Sequence, residues 1–311
     1  MKVIKAEAPA SIANLGPCFD ALGIALKGPK DVVELSILES SGEINIEKIE
    51  GFNNSNIPVN ISRNTAGLAA KALLERLGLK IGLKLKIKKG IRPASGMGSS
   101  GASAAAAVYG LSHLLGMRLD SLLLIEAAAE GEKAAANSAH ADNVAASILG
   151  GVVVLKSHKP LEFINFPVPE KLFFAIVLPD VELVTADSRA VLPPQIKFSD
   201  SFTQLSGCAY LVAALLKGDL IKIGRAVNSD IIIEPARAKL IKGFTEVKEA
   251  ALKAGAYGCS ICGSGPGIFA VCDQASQETI LGVMGDTLKD MNIKFTGFKA
   301  QPSNEGAKIV A

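Results

Sequence analysis

Alternating apolar and polar positions mark the strands. In LKLKIKK, Leu83, Leu85 and Ile87 alternate with Lys84, Lys86 and Lys88, the period-two pattern of a strand with one buried face. DVVELSIL and EINIEKI alternate in the same way, and residues 3 to 27 start extended before Pro9, Gly16 and Pro17 interrupt them. Helical stretches fall between these strands. Asn64 opens TAGLAAKALLERLG, which stops at Gly78 as a helix with a C′ glycine does. The Ala-rich run after Gly101 is a strong helix former, and Asp120 is placed to cap DSLLLIEAAAE. These elements predict a mixed sheet with helices on one side. A second unit is expected from near residue 160, beginning with the strand LFFAIVLP. A helix from about Asp200 to Lys217, the helix FTEVKEAALKAG, a glycine-rich turn, a helix over 276 to 290 and the strand NIKFTGFKA follow. A strand, helix, strand, strand, helix, strand order fits a ferredoxin-like layer, so the chain reads as α+β.

One stretch interrupts the pattern with chemistry. PASGMGSSGASAAAAVYGLSHLLG, Pro93 to Gly116, is a glycine loop feeding a helix N-terminus. Unpaired backbone N–H groups there, with the positive end of the helix dipole, suit a phosphate. Ser99 and Ser100 add hydroxyls that donate to phosphate oxygens or ligate Mg²⁺. The structural alternative is a tight turn that packs the helix on the sheet. Gly96, Gly98 and Gly101 satisfy GxGxxG, but that dinucleotide fingerprint follows a buried, nearly all-apolar strand; the strand here is half exposed. A P-loop is excluded too, because no Lys follows the last glycine.

Composition narrows the classes. The 311 residues allow two modest domains. A net charge of +3 with scattered lysines points to neither nucleic acid nor a membrane surface. Neither a signal pattern nor a long apolar run occurs, which leads to the expectation of a cytoplasmic protein. Five cysteines make a disulfide framework an unfavoured reading. Cys259 and Cys262 form a CxxC that is either redox-active, half of a zinc site, or a pair of small residues packed beneath a glycine turn; no second Cys/His pair completes four zinc ligands.

Polar residues between apolar elements are the remaining candidates. Asn14 and Asp20 lie in a loop between apolar flanks, where they present to a ligand or, for Asn14, bond their own turn. Helical offsets place Glu126 and Glu130 together and Glu132 about 200° from Glu130. Glu132 either completes a Mg²⁺ shell with Ser100 or is a solvated helix end. His140, Asp142 and Asn143 form the densest polar cluster, just before Gly150 and Gly151. Thr185, Arg189 and Arg237 fall in loops; the arginines are ordinary surface charges unless the substrate is anionic, when their fork suits a carboxylate. Gly263, Gly265 and Gly267 let the second glycine turn lie against the first loop or form a tight hairpin.

Four segments in order resemble the GHMP small-molecule kinase family, and within it the homoserine-phosphorylating branch: PASIANLGPCFDALGIAL, PASGMGSSGAS, HADNV and CGSGPGIFAV. Departures from the usual pattern are Cys18, Gly101 and Gly267. The resemblance implies a ribosomal S5 domain 2-like N-terminal domain, residues 1–158, and a ferredoxin-like C-terminal domain, residues 159–311. It implies ATP on the loop of Pro93, Ala94, Ser95, Gly96, Met97, Gly98, Ser99, Ser100 and Gly101, with Asn64 near the adenine and Mg²⁺ at Ser100 and Glu132. Asn14, Asp20, His140, Asn143, Thr185, Arg189 and Arg237 would surround L-homoserine, and Asn143, Ser100 and Glu132 would carry the chemistry. No general base is implied, and a homodimer in the cytoplasm fits the family. The alternatives are another acceptor alcohol, such as mevalonate or shikimate, and a nucleotide or amino-acid sensor without turnover.

Overall fold

A computed structural model describes residues 2–38, 42–52, 56–136, 141–181, 183 and 185–310. The first unit is built on β1 (Val3–Ala13) and the long β2 (Leu22–Leu38), paired antiparallel. Beyond β2 lie β4 (Gly82–Lys89), antiparallel to it, and β3 (Ile44–Gly51), parallel to β4, so this sheet is mixed as expected. The other end of β2 pairs with β5 (Val152–His158), which forms a hairpin with β6 (Leu161–Phe166) across residues 159 and 160.

Four helices cover this sheet: α1 (Thr65–Arg76), α2 (Ser99–Leu114), α3 (Ser121–Ala136) and α4 (Asp142–Leu149). α2 lies directly on β1 and β2 and is walled by the other three. It tolerates that position because its side chains are small: Ala102 and Ala104 to Ala107 are all fully buried. Gly110 approaches so closely that an added Cβ would lie 2.6 Å from Leu35 Cδ1. As predicted, Asn64 caps α1, its Oδ1 accepting from Gly67 N at 3.1 Å.

The second unit contains β7 (Phe173–Pro179), α5 (Thr185–Ala190), α6 (Phe198–Lys217), α7 (Leu220–Val227), α8 (Ile233–Ala238) and α9 (Phe244–Lys253). It continues with β8 (Gly258–Ile261), β9 (Ile268–Cys272), α10 (Gln277–Asp290), β10 (Phe295–Pro302) and β11 (Lys308–Val310). Its strands run in the order β10-β7-β9-β8, all antiparallel, with α9 and α10 packed together and α10 against β7. Taken as β7, α9, β8, β9, α10 and β10, this is the ferredoxin-like order expected above. Val247, Ile280, Met284 and Leu288 form its own core. The chain then returns to the first unit: Gln301 and Pro302 pair with β2, and β11 pairs with β1.

The cysteines correct one expectation. Cys18 and Cys208, 190 residues apart, are joined as a disulfide with their Cα atoms 4.8 Å apart, a spacing only the folded chain creates. Cys259, Cys262 and Cys272 remain buried thiols. Burial raises all three, Cys259 and Cys272 to about 12, so the CxxC is packing rather than redox chemistry.

Candidate active site

The two units meet over a cleft of about 370 Å³. Its floor is the glycine loop between β4 and α2, where Pro93 to Gly96 and Gly98 to Ser100 line the space. Gly96 and Gly98 hold positive φ angles of 80° and 66°, the left-handed region that a Cβ disfavours. A Cβ at Gly98 would also lie 2.4 Å from Ser11 Oγ and 2.8 Å from Asn143 Oδ1. Gly98 ends in no capping side chain, so the first-turn N–H groups of α2 are left for what the cleft binds. Met97 and Gly101 serve the loop from behind: Met97 is buried and its carbonyl accepts from Ser11 N at 3.1 Å, while Gly101 packs under Asn143 and Val144.

The second glycine turn closes on the first. Gly267 N donates to Ser95 O at 3.1 Å, and a Cβ on Gly96 would meet Cys262 O at 2.1 Å. Bare backbone on both sides is what permits this approach.

Ser100 Oγ donates to Glu132 Oε2 at 3.0 Å. Glu132 is buried, and its Oε1 has no hydrogen-bond partner among the described residues. Burial raises this carboxyl to about 7, helped by the charge of Asp142 and opposed by Ser100 and Lys89. A buried carboxylate with one idle oxygen beside a hydroxyl fits a divalent cation. No cluster of three or more His, Cys, Asp or Glu is placed for a metal among the described residues, so phosphate oxygens and water would have to supply most ligands, as suits Mg²⁺.

Across the cleft stand the residues expected around the acceptor. Asp20 Oδ2 accepts from Arg189 at 2.5 Å. Arg237 is almost fully buried, donating from Nε to Ser188 O at 3.1 Å and from Nη1 to Gly263 O at 2.8 Å. Burial lowers its guanidinium to about 10 against the supporting charge of Asp20. Both guanidinium carbons sit over the Phe19 ring, at 5.1 Å for Arg189 and 5.2 Å for Arg237, within cation–π range. Asn14, at φ 74°, bonds its own loop, accepting from Asp20 N at 2.9 Å and donating to Gly263 O at 3.1 Å. It lines the cleft while setting the position of Asp20.

Asp142 and Asn143 open α4 at the same wall. Asn143 Oδ1 accepts from Ser11 Oγ at 2.9 Å. The Asp142 carboxyl is raised to about 6 by burial and then by the charge of Asp20. His140 and the Thr185 side chain lie outside the described residues. Asn64 does not line the cleft: its side chain is spent on the α1 cap and on Pro58 O at 2.8 Å. Its neighbours Arg63 and Thr65 line it instead.

Residues absent from the sequence reading complete the floor. Asp31 is fully buried and accepts at Oδ1 from Gly90 N and Ile91 N, both at 3.0 Å. Its Oδ2 pairs with Lys89 and accepts from Ser103 Oγ at 2.7 Å. Lys89 in turn donates to Ser99 O at 2.9 Å. This network locks the end of β4 to the first turn of α2. A signal existed: Lys89 falls on the inward phase of the alternating strand, two residues after Ile87. His158, with Nε2 3.1 Å from Asp20 O, and Phe19 carried no such signal.

Comparison with known proteins agrees with this geometry. A model of the GHMP kinases N terminal domain matches residues 64–151 and one of the GHMP kinases C terminal matches residues 211–290. A homoserine kinase of Methanococcus maripaludis is 40% identical, with 87% of this chain and 88% of the relative covered. One from Arabidopsis thaliana is 41% identical over 99% of this chain and 84% of its own. The crystal structure of homoserine kinase from Cytophaga hutchinsonii superposes with a TM-score of 0.94 at 40% identity, covering 100% of this chain and 98% of that one. An L. major mevalonate kinase, at 16% identity and a TM-score of 0.71, shares the fold. With a GHMP kinases model matched in each half and relatives about 40% identical over most of both chains, the chain belongs to the GHMP kinase family.

Proposed function

We propose that the protein transfers the γ-phosphoryl group of MgATP to the side-chain hydroxyl of L-homoserine, giving O-phospho-L-homoserine, a step of threonine biosynthesis in the cytoplasm. The observation that carries this reading is one cleft with a phosphate-type loop on one wall and an Asp–Arg–Arg set on the other. An α-amino acid offers an ammonium to Asp20 and a carboxylate to Arg189 and Arg237, the complementary charges at the matching end. The homoserine kinases that share about 40% of its residues support the acceptor.

Residues 1–158 would hold the nucleotide and residues 159–311 would close over the acceptor. The loop N–H groups from Ser95 to Ser100 bind phosphate oxygens, with Thr65 and Arg63 toward the base. Ser100 and Glu132 would hold Mg²⁺, which neutralises charge on the transferring group. Asn143, at the α4 N-terminus between loop and acceptor, orients the hydroxyl. Phosphoryl transfer depends chiefly on alignment and charge stabilisation, which agrees with a site whose residues are held by fixed backbone contacts. We take the active protein to be a homodimer. No helix among the described residues is long and apolar enough to cross a membrane.

ADP release from MgATP, measured with L-homoserine, mevalonate, shikimate or no acceptor, tests the reading. Turnover is expected with homoserine alone. Equal turnover with mevalonate or shikimate would reassign the acceptor, and ATP binding without turnover on any of them would overturn the reaction.

A further inference from the structure

Helix α8, which carries Arg237, has six residues, too few to hold a shape in water unaided. Pro235 fits in its first turn because the N–H it lacks would have no intrahelical partner there. Side chains must therefore fix where α8 lies. Asp230 caps its start, accepting at Oδ1 from Ile232 N at 3.0 Å and Ile233 N at 2.9 Å and at Oδ2 from Glu234 N at 3.0 Å. Glu234 holds the middle. It is buried, and its Oε1 pairs with Lys248 on α9. Burial raises this carboxyl, while the charge of Lys248 and the hydroxyl of the buried Ser260 on β8 act against that. One carboxylate thus draws together α8, α9 and β8. Three residues further along α8, on the side of the helix that Glu234 shares, Arg237 donates to Gly263 O, three residues beyond Ser260. The two side chains grip successive points of the strand and turn that form one rim of the cleft.

We propose that Glu234 and Lys248 are positioning residues for Arg237: their pair sets the rotation of α8 about its axis, so that Arg237 meets Gly263 O and lines the cleft. Neither residue of the pair lines the cleft itself, so both act through Arg237. Stability is a poor reason for such a pair, because desolvating two charges costs about what their attraction returns, and apolar residues of similar volume often do as well. Direction is a better one. An apolar contact tolerates a helix turning by tens of degrees, whereas an ion pair between two elements fixes the angle at which they meet. That angle matters here because Gly263 O also accepts from Asn14 Nδ2 at 3.1 Å, and Asn14 in turn accepts from Asp20 N at 2.9 Å. A rotated α8 would withdraw Arg237 from the carbonyl that joins it to the Asp20 loop. The consequence for homoserine rests on the acceptor reading above; the placement of Arg237 does not.

The test uses the purified full chain and a double Glu234→Leu, Lys248→Met protein, which replaces the pair by apolar side chains and is expected to melt close to the wild type. Phenylglyoxal modification, followed for each arginine peptide by mass spectrometry, reads the placement of Arg237 without any substrate. In the wild type Arg237, 2% exposed, is expected to react slowly; in the double variant its rate should rise severalfold while Arg76 and Arg92 in the first unit keep theirs. An unchanged rate at Arg237 would overturn the proposal. Steady-state kinetics reads the consequence. The homoserine KM of the double variant should rise roughly tenfold, within the ~100-fold that a misplacement of 1 Å can cost, while the ATP KM holds. In an Arg237→Ala background the same two substitutions should change the homoserine KM by less than about twofold, since residues acting through one group are not additive. A full tenfold rise in that background would overturn the route through Arg237. A wild type that turns over no homoserine would overturn the acceptor reading and leave the modification rates to decide the placement. Should the double variant fail to fold, Glu234→Gln, which keeps the shape and removes the charge, decides on the same readouts.

Discussion

Phe19 shows how a residue with no motif acquires a role. Its ring lies under both Arg189 and Arg237, so it fixes the spacing of the two guanidiniums that line the cleft. Arg237→Ala is expected to raise the homoserine KM at least tenfold, the value of a charged hydrogen bond of about 1.5–3 kcal/mol, while the ATP KM stays unchanged; steady-state kinetics checks both. Ser100→Ala, at the loop instead, should lower kcat with little effect on the homoserine KM. Asp142 makes a prediction of a different kind. Its carboxyl is raised to about 6 by burial, above its value in the unfolded chain, so folding favours the protonated form. That group's contribution to stability therefore falls as pH rises from about 4 to about 6 and stays low above. Asp142→Asn should be more stable than the wild type at pH 8, by at most on the order of 3 kcal/mol, and the difference should vanish near pH 4 in urea titrations. Arg189 and Arg237 were legible in the sequence only through the charge of an assumed acceptor. Phe19 and His158 were not legible at all, because a lone ring in a chain says nothing until the fold brings charges to it.

At the scale of elements, the glycine loop is held by what lies behind it. Gly98→Ala places a Cβ at positive φ, 2.4 Å from Ser11 Oγ, and is expected to cost at least 1–3 kcal/mol of stability, an order-of-magnitude figure for such strain, and to raise the ATP KM. Lys89→Met leaves the fully buried Asp31 carboxylate without its ion pair. Removing one partner of a buried pair costs about 3–5 kcal/mol, so thermal unfolding should shift far more than it does for Lys88→Met on the exposed face of the same strand. The strands themselves could be read from alternation, and α1 from its asparagine cap. The Asp31–Lys89 lock was only half legible: the inward phase of Lys89 marks it as buried, but its partner lies 58 residues away on another strand.

At the scale of the whole molecule, the Cys18–Cys208 disulfide ties the loop carrying Asp20 to α6. Gln204, on the same helix, donates to Pro17 O at 3.1 Å, so α6 and this loop are held as one piece. Closing a loop of 190 residues limits the unfolded chain by at most about 5 kcal/mol in the chain-entropy model. Dithiothreitol is expected to lower the melting temperature of the wild type and to leave Cys208→Ser unaffected; equal melting of the wild type with and without reductant would contradict the bridge.

Local order in this chain follows from residues near one another in sequence. Alternation sets the strands, asparagine and glycine set helix ends, and three glycines before an alanine run set a tight loop at a helix start, because each depends on backbone preferences a few residues long. The tertiary structure alone decided what those pieces face. It brought Gly267 against Ser95, Lys89 to Asp31 and Cys18 to Cys208, and it set two arginines over one ring. It also left one face of α6 uncovered. Those pairings join residues far apart along the chain, and their energies come from burial and exclusion of water, which no local pattern records.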